Sequence, residues 1–126
     1  MRDLSAKDQV VSLLVAQRLK EHGFPQDCIL WHWVGNQLWY YQRVIDLVIE
    51  HNKRYAAPNA SEMIRQLPKY HEKLGRLVVY WDQGRLLWIA GYEDFTGLID
   101  DYGKSVKLEN ALALCWINIQ EVIKSG

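Results

Sequence analysis

The chain has 126 residues, with Lys plus Arg and Asp plus Glu at 15 each, so its formal net charge is zero. That balance argues against a nucleic-acid binder, whose phosphate contacts normally show as a basic excess. Hydrophobic residues at 49% and aromatic residues at 12% exclude a disordered segment.

The length suits a single domain spanning residues 1–126. A chain of this size buries roughly two-thirds of the surface that its unfolded form exposes, enough for a real core. Zero net charge also removes self-repulsion, so association is expected.

In chain order, residues 1–9 are polar and read as frayed or weakly helical. Ser12 caps the first clear helix, whose apolar side is Leu13, Ala16, Leu19 and the stem of Lys20. Gly23 ends it and Pro25 prevents it from resuming.

Two strands follow, Cys28–Val34 and Gln37–Gln42, joined by Gly35-Asn36, a pair suited to a two-residue hairpin turn. Its register sets Trp33 opposite Leu38, Trp31 opposite Tyr40 and Ile29 opposite Gln42. The other face carries His32 with Trp39 and Leu30 with Tyr41. A one-residue slip would exchange the two sets. Val44–Asn52 fits a short helix or an extension of the strand; helix is the preferred reading, against its β-branched content.

Asn59, with Glu62 three residues on, opens a second helix through a capping-box arrangement. Met63, Ile64 and Leu67 form its apolar side and Pro68 ends or bends it. A second hairpin follows: Leu77–Asp82 and Arg85–Tyr92 around Gln83-Gly84, with Asp82 opposite Arg85. Leu77, Val79, Trp81, Leu86 and Trp88 share one face; Val78, Tyr80, Leu87 and Ile89 share the other. Glu93–Gly103 reads as a loose acidic loop. The last helix runs from about Leu108 to Lys124, with Leu108, Ala111, Leu112, Cys115, Ile119 and Val122 at helical spacing.

Helix then tryptophan-flanked hairpin occurs twice, in Ser12–Gln42 and Asn59–Tyr92; WVGNQLW compares with WDQGRLLW. The pattern implies an α+β fold with an αββ repeat. Its four-stranded antiparallel sheet comes from the two hairpins, helices pack on one face, and a C-terminal helix closes the structure.

Ser12, Ala16, Leu19-Lys20-Glu21, Gly23-Phe24-Pro25-Gln26, Ala57-Pro58, Ser61-Glu62-Met63 and Leu67-Pro68 form a pattern over the first half of the chain. It resembles a family of small proteins of Bacteroides-type bacteria and their phages and mobile elements. The family has no established activity, so the resemblance implies a fold and an accessory setting and supplies no catalytic residues. Relative to its shorter forms, Val44–Arg54 looks like an expansion.

No chemistry-bearing motif stands out. His22, His32, His51 and His71 lack metal-ligand spacing, and no metal or cofactor is expected. His32, between two tryptophans, reads as a satisfied histidine in or beside the core rather than a base. Glu93-Asp94 and Asp100-Asp101 read as a solvated acidic loop, since a calcium loop needs a different ligand pattern. Gly91, Gly97 and Gly103 are too widely spaced for a phosphate loop. Cys28 and Cys115 read as buried, reduced thiols. No signal peptide is recognised, no apolar stretch approaches the roughly 20 residues that span a bilayer, and a cytoplasmic location is expected.

What remains are the aromatic faces. Trp31, Trp33, Trp39, Tyr40, Tyr41, Trp81 and Trp88 are the candidate binding residues. If one sheet face packs on helices, the other still carries Trp or Tyr in each hairpin, and a large exposed apolar patch marks an interaction site. The chain itself covers that face, or a protein does. The expected function is non-enzymatic: self-association or binding of a protein partner. The alternative is stacking of nucleotide or single-stranded nucleic-acid bases, with Arg43, Lys53, Arg54, Arg76 and Arg85 supplying phosphate contacts.

Overall fold

A computed structural model describes residues 6–27 and 29–124. It is an α+β fold with two antiparallel sheets. Residues 1–5 of the polar leader and Cys28 lie outside the described residues; Ala6–Asp8 forms a single 3-10 turn.

Helix α1 (Leu13–Glu21) starts where Ser12 accepts from the Val15 amide and stops at Gly23, which has φ +84°. Strands β1 (Trp31–Val34) and β2 (Gln37–Tyr40) form the first hairpin in the expected register, with Trp31 opposite Tyr40, His32 opposite Trp39 and Trp33 opposite Leu38. The ladder is shorter than expected and does not reach Ile29 and Gln42. The Tyr41 amide donates to Leu30 O at 2.8 Å and closes the ladder.

Helix α2 (Tyr41–Asp46) begins there at once. The expected helix over Val44–Asn52 thus starts three residues early and ends at Asp46. Val48, at φ +53°, is an extreme turn conformation for a β-branched residue and stops it. A 3-10 turn at His51–Lys53 and strand β3 (Tyr55–Ala56) follow. β3 pairs with β1, giving a three-stranded sheet of order β2-β1-β3.

Helix α3 (Ala60–Gln66) has the complete capping box: Asn59 accepts from the Glu62 amide, and Glu62 accepts from the Asn59 amide. Strands β4 (Tyr70–His71), β5 (Gly75–Asp82), β6 (Leu87–Glu93) and β7 (Ile99–Ser105) form the four-stranded sheet in that order. Helix α4 (Leu108–Lys124) closes the chain with the bounds that its periodicity predicts.

The expected origin of the four-stranded sheet is corrected: the two tryptophan hairpins lie in different sheets, and β4 and β7 complete the second one. Order along the chain repeats, but pairing does not. The strand after the first hairpin, β3, joins its first strand, β1, whereas the strand after the second hairpin, β7, joins its second strand, β6.

The second hairpin has a longer loop than expected. Asp82 pairs with Leu87, and Leu86 leaves the strand face at φ +56°. The Asp82 carboxylate explains the loop: it accepts from the amides of Gly84 and Arg85 and pairs with the Arg85 guanidinium at 2.7 Å. Side-chain acceptors of this kind offer the backbone an alternative to the ladder.

The acidic stretch Glu93–Gly103 is likewise corrected. Asp94 accepts from the Thr96 and Leu98 amides and from the Thr96 hydroxyl, knitting a tight turn that launches β7. β7 is an edge strand, and edges carry charge to discourage pairing with other chains.

One apolar core runs through both sheets. It takes in Val10, Leu19, Phe24, Trp33 and Met63 from the first half and Tyr92, Leu112 and Trp116 from the second. α4 joins the halves, resting on β6 and β7 while touching α1 and α3. The Phe24 and Trp116 rings meet edge to face at 5.2 Å. Among the described residues no helix is long and apolar enough to cross a membrane.

Candidate functional site

The seven candidate aromatic residues do not form one surface. Trp81, exposed, and Trp88, half-buried, meet edge to face, 5.6 Å between centroids, near the tip of the second hairpin. The Trp81 indole donates to Gln83. The other five belong to the first hairpin and its exit, in the other sheet.

Those five have separate roles. Trp33 is a core residue, 7% exposed, and its indole N–H donates to Val11 O at 3.0 Å. Trp31 stacks on Tyr40 at 4.1 Å, and Tyr40 is 54% exposed. Trp39, half-buried, has the Arg43 guanidinium over its ring. Tyr41 stacks on His32 at 5.2 Å and its hydroxyl donates to Asp27 at 3.3 Å.

The second face of this hairpin, with His32 and Trp39, is therefore covered from within the chain. α2 folds over it straight from β2, and Val44 is fully buried. Arg54 returns beneath the same cover, with its guanidinium 5.9 Å from the Tyr41 ring.

Covering the hairpin leaves an open groove of about 680 Å³ on the outer side. Ile29, Leu30, Tyr40, Tyr41, Arg43 and Asp46 line it, with Glu62 at its wall. One Glu62 oxygen caps α3 and the other accepts from the Leu30 amide at 3.1 Å, so the wall is fixed to the hairpin. Leu30 and Tyr40 in the groove are about half exposed. Ile45, Leu47 and Val48 stand exposed on α2 and the turn after it, Val48 at 83%.

Beneath the cover, polar atoms go unmatched. His32 is fully buried, and neither ring nitrogen has a hydrogen-bond partner among the described residues. Arg54 is 7% exposed, and its Nε and Nη1 have none among them either. Burial, and then the Arg54 guanidinium, lower the His32 pKa to about 4, so the ring is neutral near pH 7. The sequence expectation of a histidine in the core is correct, but the expectation that it is satisfied is not.

Sequence reasoning named Arg54 only as one of five cations for phosphate contact, Glu62 only as a helix cap and Leu30 only as a strand residue, and did not bring the three together. Arg54 sits in the polar run HNKR, whose composition gives no sign of burial. Cys115 is a free, buried thiol on α4 whose pKa burial pushes up to about 12, so it is inert near neutrality. Among the described residues no group of His, Cys, Asp and Glu is placed to hold a metal ion. Comparison with protein-family models, with curated proteins and with solved structures finds no match.

Proposed function

We propose that the protein is a non-enzymatic interaction module that pairs with a second copy of itself through the groove beside α2 and the apolar side chains around it. The observation that carries this reading is the exposure of Leu30, Tyr40, Ile45, Leu47 and Val48 within one short stretch of chain. Apolar side chains gathered on a surface mark interaction sites, whereas scattered ones do not.

The charges favour a second copy over a foreign protein. Net charge is zero, so two copies meet without long-range repulsion. The groove carries one cation, Arg43, and two carboxylates, Asp46 and Glu62; the Glu62 oxygens already accept from the Asn59 and Leu30 amides, which leaves Arg43 and Asp46, three residues apart on α2. A twofold arrangement with antiparallel α2 helices sets Arg43 of each copy against Asp46 of the other, the self-complementarity that an isologous interface requires.

Stacking of bases on an aromatic sheet face has less support. Trp33 is in the core, Trp31 is already stacked on Tyr40, and Arg43 occupies a face of Trp39. The accessory role in a phage or mobile element is part of the proposal and rests on the resemblance of the first half of the chain alone.

Charge exchange tests the arrangement. Arg43→Glu sets like charges across the twofold axis and is expected to weaken self-association in sedimentation velocity. Arg43→Glu with Asp46→Arg restores opposite pairs and is expected to recover it. Equal association in all three proteins would place the interface elsewhere.

A further inference from the structure

Arg54 is a buried guanidinium with no counter-ion in contact among the described residues. The ion pairs among the described residues join Lys53 to Glu50, Arg76 to Glu93, and Arg85 to Asp82 and Asp101; none uses Arg54, Lys20 or His32. Buried guanidinium groups are normally paired, because leaving them unpaired is costly. Buried polar groups without partners are rare enough that each calls for an explanation.

The surroundings of Arg54 are electropositive. Lys20 donates to the carbonyls of His51 and Arg54, and its pKa is lowered by burial and by Arg54. The Arg54 charge also reaches His32. Asp27, the carboxylate that acts on His32, is engaged by the Tyr41 hydroxyl. Arg54 and His32 both lie against Tyr41, and that ring borders the open groove. This half-buried side chain therefore lies between the two unmatched groups and the groove.

We propose that Arg54 and His32 form a binding site for a phosphate group, free or carried on a small molecule, with Tyr41 as its cover and Lys20 as a second positive charge behind it. The guanidinium fork matches oxyanion geometry, and a neutral imidazole adds one N–H donor. Two nearby cations balance a dianion, which distinguishes phosphate from a carboxylate.

The test is nuclear magnetic resonance of the labelled full chain, titrated with inorganic phosphate at constant ionic strength and neutral pH. Acetate and chloride serve as controls, and adenosine monophosphate as the carried form. Saturable shifts at the Arg54 Nε–H and the His32 ring are expected, tighter for phosphate than for acetate and lost in Arg54→Met. A stronger response to the nucleotide than to free phosphate would identify the carried form.

If Arg54→Met does not fold, Arg54→Lys decides. It keeps the charge and loses the fork, so weaker binding is expected and unchanged binding would overturn the site. Shifts that never saturate, or that are equal with acetate or chloride, would also overturn it.

Discussion

His32 is held under Tyr41 as a neutral ring, and that fixes the sign of its contribution to stability. Its pKa in the fold is about 4, below the ordinary value of 6.5. Between those values the unfolded chain binds a proton that the folded chain refuses. Stability is therefore full above about pH 6.5 and falls as pH drops toward 4, by roughly 3 kcal/mol in total. Urea denaturation at pH 7 and at pH 4.5 measures this, and replacing His32 by Asn is expected to flatten the difference.

Gly103 is a second residue with a sharp requirement. A Cβ there would run into the Ala111 carbonyl and the Cys115 amide of α4. Gly103→Ala therefore pries β7 off the helix, and a loss of about 3 kcal/mol in urea unfolding is expected. In the sequence this glycine looks like loop punctuation. Its role depends on a helix that follows in the chain and folds back, a contact that no local pattern records. The burial of Arg54 was hidden for the same reason, because the ring it lies against, Tyr41, precedes it by a whole turn-rich segment.

At the scale of elements, what a local signal specifies was legible. Ser12, Gly23, Asn59 with Glu62, Gly35-Asn36 and the stripe of α4 each carry their own stop or start, and the structure places α1, α3, α4 and the first turn accordingly. Elements without one were misread. β7 is polar because it is an edge, and α2 starts early because Tyr41 closes the ladder through Leu30. The capping box of α3 also anchors the first hairpin, since Glu62 serves both. Asn59→Ala is expected to cost about 1 kcal/mol in thermal unfolding. Glu62→Ala is expected to cost more, because the Leu30 amide loses its acceptor as well.

For the whole molecule, α4 unites two sheets that the apparent repeat would have fused into one. Trp81 and Trp88 pack on each other, Trp33 enters the common core, and that core is completed by Phe24 against Trp116. Six of the seven aromatic candidates sit in the two hairpins and Tyr41 opens α2. Which of them face outward was not legible, because that depends on α2 and Arg54 covering one face of the first hairpin. The result is a surface whose exposed apolar side chains lie beside the aromatic hairpin, on Leu30, Tyr40 and the α2 turn, with Arg43 and Asp46 in the groove that we propose a symmetric copy fills.

The most direct test of that account is the molar mass of the wild-type chain in solution, by size-exclusion chromatography with light scattering over a range of concentrations. The account predicts a mass that rises with concentration toward that of two chains, and a Leu47→Ser, Val48→Ser variant that keeps its fold but stays at one. A wild-type mass equal to a single chain at every concentration would contradict it.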